Sequence, residues 1–235
     1  MKIVIAHLTR MQKGYCCVAG MDVKTGAHVR CVCEKGRLPV SVLASHGGPF
    51  DMARVVELDG ARHSPEPPHM EDHVICLDGV RTTPSVAPGW FWEFLYDWSD
   101  LSLQAVFGRE LQQVGPRSCA VLEGFGRVSL GLFRPRQRPE LKTREEEAGD
   151  QIRMKIRDER FNVSASVTDV RLYEEDHVTP NRRIVETVAA AIERGVGLVL
   201  SVGLTRAFAN YHWLQVNNIH LESDPTWRLG AYPVV

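Results

Sequence analysis

The sequence has no long hydrophobic run. No apolar stretch approaches the ~20 residues that a bilayer-spanning helix needs, which sets aside a helical membrane protein. The opening segment Met1-Lys2-Ile3-Val4-Ile5-Ala6 is too short for a signal peptide, because His7 and Arg10 interrupt it. A cytoplasmic protein is expected. The cysteines Cys16, Cys17, Cys31, Cys33, Cys76 and Cys119 are then read as reduced thiols rather than a disulfide framework. Charge of one sign is missing as well: 28 Lys and Arg face 29 Asp and Glu, a net charge of −1. Any anion-binding surface must therefore be local and offset by acid elsewhere.

The common catalytic signatures are also absent. There is no GxSxG, no HExxH and no GxxxxGK[ST]. No catalytic residue is assigned and no cofactor is expected. Triads are geometric rather than sequential, so an enzyme with Cys33, His46, His73 or His212 converging in space stays open as an alternative. Metal spacing is missing too. His63, His69 and His73 share a proline-rich segment with Glu66, Glu71 and Asp72, but the pattern fits no defined site and reads as an exposed polar loop. Cys16-Cys17 are adjacent, and Cys31-Val32-Cys33 is a CxC. Zinc pairs usually keep two or more intervening residues, so these cysteines read as small buried hydrophobes and no metal is expected.

What is present is a chain of 235 residues, 44% hydrophobic, enough for one large domain or two small ones. Most of it reads as short strands: 2–6, 15–23, 28–33, 51–58, 74–77, 119–122, 128–133, 151–157, 160–173 and 198–202. Lys24-Thr25-Gly26 marks a hairpin. Pro88 to Trp98 reads as a helix whose Trp90, Phe91, Phe94, Leu95 and Trp98 share one face, a core plug. A second helix runs from Pro180 to Arg194, with Thr179 as N-cap, Pro180 at its first position and Gly195 past its end. Short strands with two helices suit small β-barrels better than a βαβ sheet. KIVIAHLTR at 2–10 echoes LVLSVGLTR at 198–206, two apolar strands that each run into Leu-Thr-Arg.

Three stretches point to nucleic-acid chemistry. Residues 134–144 carry Arg134, Arg136, Arg138, Lys142 and Arg144 against Glu140. In 151–157, Ile152, Met154 and Ile156 face the core, while Arg153, Lys155 and Arg157 share the other face. Strand geometry spaces those cations by ~6.6–6.8 Å, a stripe that can track phosphates. In 212–218, Leu214 and Val216 point one way, and Trp213, Gln215 and Asn217 point the other. A ring and two amides on one face can stack on a base and bond its edge. The alternation breaks at Asn217-Asn218, where Ile219 and Leu221 change phase; a bulge that aims the amides at a ligand, or equally a turn whose amides satisfy the local backbone, restores the apolar face.

The ends of the chain resemble the dual-OB-containing domain, a prokaryotic family. The resemblance rests on Cys17-Val18-Ala19-Gly20, Gly26-Ala27-His28-Val29-Arg30, Asp169-Val170-Arg171-Leu172, Leu200 to Arg206 and His212 to Ile219. His28 stands where the family usually has an aromatic residue, and Cys31 where it has proline. The resemblance implies two OB-like barrels and a recognition module of prokaryotic defence systems. The expectation is thus a mainly β protein of two OB-like barrels, 1–112 and 113–235. Its expected function is non-catalytic binding of single-stranded nucleic acid or a nucleotide. Arg30, Arg206, Trp213, Gln215 and Asn217 form the recognition surface, and Arg153, Lys155 and Arg157 hold phosphates. The alternative to binding nucleic acid is a protein-assembly subunit that uses the 90–98 helix or Trp227 and Tyr232 as its interface.

Overall fold

The computed structural model describes residues 1–34, 36–145 and 149–227. The chain is mainly β, with two curled sheets that form half-barrels. Residues 2–85 build the first sheet: β1 (Lys2–Arg10), β2 (Tyr15–Asp22), β3 (His28–Val32), β4 (Leu38–Pro39), β5 (Arg54–Leu58), β6 (Arg62–His63), β7 (Asp72–Val74) and β8 (Val80–Ser85). Its order is β6-β7-β3-β2-β1-β5-β8, with β4 beside β2. Ile3, Val4, Ile5 and Ala6 of β1 are fully buried, as a central strand covered on both faces requires. The β2–β3 turn is closed by Asp22, whose carboxylate accepts from the backbone of Lys24 and Thr25. Gly26 in that turn has φ +68°, and a Cβ there would lie 2.3 Å from the Trp98 ring, so only glycine fits.

Helices α1 (Pro88–Asp97) and α2 (Leu103–Phe107) lead into the second sheet. That sheet holds β9 (Gln112–Gln113), β10 (Cys119–Leu122), β11 (Leu130–Phe133), β12 (Glu140–Arg144), β13 (Gln151–Arg157), β14 (Asn162–Val167), β15 (Leu198–Leu204) and β16 (Tyr211–Leu221). Its order is β11-β15-β16-β14-β13-β12, with β10 on β16 and β9 on β10. Helix α3 (Arg182–Glu193) packs Val185, Val188, Ala191 and Ile192 onto its core. Leu103, Val106, Phe107 and Leu111, which the sequence groups with the first barrel, pack into the second core, while Leu132, Val170 and Val199 pack into the first.

Several local expectations are corrected. The cap of α3 is Asn181, whose side chain accepts from the Ile184 N–H at 3.0 Å; Thr179 instead bonds Asp176. On α1 only Phe91 and Leu95 are buried, while Trp90, Tyr96 and Trp98 are 41–47% exposed. The helix is therefore a half-plug with an aromatic outer face. Trp227 is 2% exposed, donates to the Ile219 carbonyl and lies under the Arg171 guanidinium, so it is core rather than an interface. Tyr232 lies outside the described residues.

The two halves are stitched along β1 and β16. Each of these strands carries an irregularity in its pairing: on β1 the register slips at Ala6, between Ile5 and His7, and on β16 at Asn217, between Val216 and Asn218. The slip on β16 puts Ile219 and Leu221 back into the core beside Leu214 and Val216. Asn218 then acts as a one-residue strand partner: its side chain accepts from the Leu8 N–H at 2.8 Å and donates to the Leu8 carbonyl at 3.1 Å. Ser201 donates to the Ala6 carbonyl at 2.8 Å. The two Leu-Thr-Arg ends cross over reciprocally. Arg10 reaches the His177 carbonyl and the Tyr173 ring in the second half, and Arg206 reaches Asp72 in the first.

Candidate nucleic-acid interface

The register of the second sheet sets its outer face. Lys142 pairs with Arg153, Arg153 with Ser166, Ser166 with Gln215 and Gln215 with Gly203. Paired residues share a face, so these side chains form one row across five strands. A second row runs through Glu140, Lys155 and Ser164, and a third through Arg157 and Asn162. Trp213, two residues before Gln215, joins the same face. Adjacent strands are about 4.8 Å apart, so Arg153 and Gln215 stand about 10 Å apart across β14. The inward residues Ile152, Met154, Ile156, Leu214 and Val216 are all buried. Strand alternation, with the β13–β14 and β14–β16 registers, thus brings Arg153, Lys155, Arg157, Trp213 and Gln215 together.

This face is cationic and half-open. Lys142 and Lys155 are 69% and 43% exposed, and both approach Glu140. Arg153 donates to the Ser166 hydroxyl at 2.8 Å, which holds its guanidinium flat on the sheet. The Trp213 indole donates to the Phe208 carbonyl at 3.0 Å and its ring lies 5.4 Å from that of Tyr211. Exposed cations beside a pinned ring can contact phosphates and stack a base.

Arg30, Arg206 and Asn217 belong to a neighbouring polar seam between the halves. Asp72 holds both arginines: Arg30 Nε at 2.6 Å on one carboxylate oxygen and Arg206 Nη2 at 2.7 Å on the other. Arg30 and Asp72 are each 6% exposed at the side chain and Arg206 is 48% exposed, so only Arg206 opens to solvent. Two guanidiniums on one carboxylate leave a net positive charge. The segment that carries Asp72 is no flexible loop. Glu71 accepts from Ser129 N at 2.7 Å and Ser129 Oγ at 2.8 Å, clamping it to the second half, and His69 is 2% exposed.

Asn217 lies over Gly203, where a Cβ would sit 2.5 Å from its amide nitrogen. It accepts from Gln215 at 2.8 Å, and its amide nitrogen is 3.2 Å from His7 Nδ1. His7 and His28 meet edge to face at 5.2 Å, and the Nε2 of each is buried without a partner. Burial, then the charges of His28, His220 and Arg30, holds His7 neutral well below the usual range. Burial takes His28 down to about 4, and burial with Arg30, Arg206 and His212 nearby takes His69 to about 2. The sequence names Asp72, His7 and His28 but gives none of them a place in this seam. The available signal was His7 itself, a polar residue inside an otherwise apolar strand.

Cys33, His46, His73 and His212 do not form one constellation. Cys33 bonds the Arg37 carbonyl, His46 meets His177 at 3.0 Å, His73 lies beside His63, and His212 packs on His69. Among the described residues no three His, Cys, Asp or Glu side chains gather to hold a metal ion. Cys16 and Cys31 are buried free thiols, and burial raises Cys16 to about 12. A cavity of about 940 Å³ lies elsewhere, between α1, the 134–139 segment and the end of α3, lined by Trp92, Tyr96, Arg134, Arg136 and Arg138. No described helix is long and apolar enough to cross a membrane.

Two half-barrels that meet through sheet faces and share a polar seam define a double OB-type protein. The dual OB-containing domain family matches residues 1–219, and the chain belongs to that family. No curated protein matches it.

Proposed function

We propose that this chain is a non-catalytic recognition module that binds single-stranded nucleic acid or a nucleotide on the outer face of its second sheet. One observation carries this: the register lines up Lys142, Arg153, Ser166 and Gln215 in a single row, with Lys155, Arg157 and Trp213 on the same face. The chemistry is that of an OB surface, with cations for phosphates and a ring and amides for bases. Arg153, Lys155, Arg157 and Arg206 are the phosphate contacts. Trp213 stacks and Gln215 meets base edges, while Asn217, 2% exposed, acts through Gln215 by accepting its amide. Arg30 acts through Asp72, holding the carboxylate that positions Arg206. The family resemblance alone motivates a place in a prokaryotic defence system.

Labelled 12-nucleotide DNA and RNA strands, titrated at 50 and 200 mM salt with free nucleotides as competitors, test this reading. Four phosphate contacts give a slope of about −2.8 in log affinity against log salt, an affinity loss of about 50-fold over that range. Lys155→Ala reduces the slope by about 0.7. Equal affinity at both salts would rule the phosphate contacts out.

A second reading has its own observation. Trp90, Tyr96 and Trp98 stand exposed on α1, which is the arrangement a protein-assembly interface requires. A partner that purifies with the wild type but not with a Trp90→Ala, Trp98→Ala double variant would favour it.

A further inference from the structure

The most exposed large hydrophobic side chain among the described residues is Phe208, at 74%. It stands at the tip of the β15–β16 hairpin. Phe208 and Tyr211 exchange backbone hydrogen bonds of 2.9 and 3.2 Å, and Ala209 and Asn210 between them have φ of 52° and 67°. Positive φ at both central residues is the type I′ geometry of tight hairpins, so the tip is a defined turn rather than a loose loop. The Trp213 indole bonds the Phe208 carbonyl and braces it from below. The loop after β10 braces it from the side: Leu122 pairs with Tyr211, and Glu123 N donates to the Asn210 carbonyl at 2.9 Å. That loop exposes Phe125 (58%) and Leu122 (45%).

Single exposed apolar residues need no explanation, but these are grouped and rigidly held. Leu122 and Tyr211 are register partners and share a face, and Tyr211, Trp213 and Gln215 alternate along β16 on that same face. The aromatic tip is therefore continuous with the cation rows of Arg153 and Lys155, and Arg206 lies two residues before Phe208. Rings adjoining a cationic sheet face complement a chain of flat bases on an anionic backbone. Glu123 is the one carboxylate in the tip segments 122–126 and 205–211.

We propose that Phe208 and Tyr211, with the exposed Phe125 in the turn bonded to their hairpin, form a base-stacking platform. It extends the outer face so that it takes several consecutive unpaired nucleotides rather than one. This rests on the reading that the face binds nucleic acid. The backbone lies over Arg153 and Lys155, and the bases turn toward the hairpin tip.

The test uses wild type, Phe208→Ala and Phe208→Trp with 12-nucleotide DNA and RNA strands and an abasic strand of equal phosphate number. Loss of one stacked base weakens binding about 5- to 150-fold. Phe208→Ala is expected to lose that much for base-bearing strands with an unchanged salt slope, and nothing for the abasic strand. Phe208→Trp is expected to retain affinity, and melting temperatures stay equal because the side chain is exposed. Whichever of DNA and RNA shows the effect identifies the natural strand. If Phe208→Ala matches the wild type while the wild type binds with a salt slope, the platform is wrong and the phosphate face stands. An equal loss on the abasic strand also overturns stacking. No binding of any strand by the wild type at 50 mM salt overturns both.

Discussion

In the first sheet, Arg30 and Asp72 are paired in register on the face turned to the second half, with His7 nearby, and none of the three is more than 5% exposed. In the second sheet, Lys142, Arg153, Ser166 and Gln215 stand in the same kind of cross-strand row and face outward. The two rows use similar chemistry and differ in what covers them. The first is closed by β16, through the Asn218 clamp on Leu8, and by Glu71 on Ser129. Its charges are spent on each other. In the second, Lys142 and Lys155 approach Glu140 and Arg153 bonds Ser166, and no strand covers the row among the described residues. Position in the fold, rather than residue type, decides which arginine faces solvent.

Acid should separate the two rows most strongly. His7, His69 and His220 are at most 2% exposed, and burial is the leading cause that keeps each neutral, with His220 at about 3. Unfolded histidines titrate near 6.5, so below that pH the unfolded chain binds protons that the folded chain does not. Stability therefore falls as pH drops from about 6.5 toward the folded values, by about 1.4 kcal/mol per unit for each histidine. Urea midpoints between pH 7 and 5 should drop by the equivalent of several kcal/mol. The outer rows carry arginine and lysine and no histidine, so strand affinity at fixed salt should hold steady from pH 7.5 to 6.5. A flat stability profile, or affinity that titrates near 6.5, would undo the contrast.

Asp169 supports the closed side from beneath. It is fully buried and accepts from Arg171 Nε at 2.9 Å, Arg171 Nη2 at 2.7 Å and Ile219 N at 3.0 Å, while Arg171 lies over the Trp227 ring at 3.9 Å. Asp169→Ala strands a buried guanidinium and should cost about 3–5 kcal/mol in urea unfolding. A cost below about 1 kcal/mol would show that the seam relaxes around the missing charge.

The open row was legible in the sequence and the closed one was not. Ile152, Met154 and Ile156 alternate with Arg153, Lys155 and Arg157, and Leu214 and Val216 with Trp213 and Gln215. Period two fixes both faces before any pairing is known. The phase break at Asn217-Asn218 likewise announced an interruption, a bulge or a turn, and the pairing shows the bulge. What alternation cannot supply is a partner from distant sequence. Asp72 sits among prolines that break every local pattern, and its two arginines come from residues 30 and 206. The aromatic helix failed for a related reason. Period 3.6 marks Trp90, Phe91, Phe94, Leu95 and Trp98 as apolar, but only a neighbouring element decides which of them is covered, and the Phe91 ring meets His220 across the seam. The α3 cap slipped because Asp176 captured Thr179 and left Asn181 to cap.

The smallest effect gives the closest comparison, since one substitution can be made in both rows. Arg157→Ala removes an exposed cation at the end of β13, paired in register with Asn162. It should change unfolding free energy by no more than about 0.5 kcal/mol, since no buried group loses a partner. Arg30→Ala removes a cation of the same type from a side chain 6% exposed, and leaves Asp72 buried with only Arg206 to answer it. That variant should lose several kcal/mol, on the order of a buried pair deprived of one member. The same two variants should rank the other way for the salt slope of strand binding, where Arg157→Ala lowers it and an Arg30→Ala protein that still folds does not, provided Arg206 keeps its place on Asp72. If Arg30→Ala were as stable as Arg157→Ala, the seam would be open to water, and Arg30 would join Arg206 on the binding face.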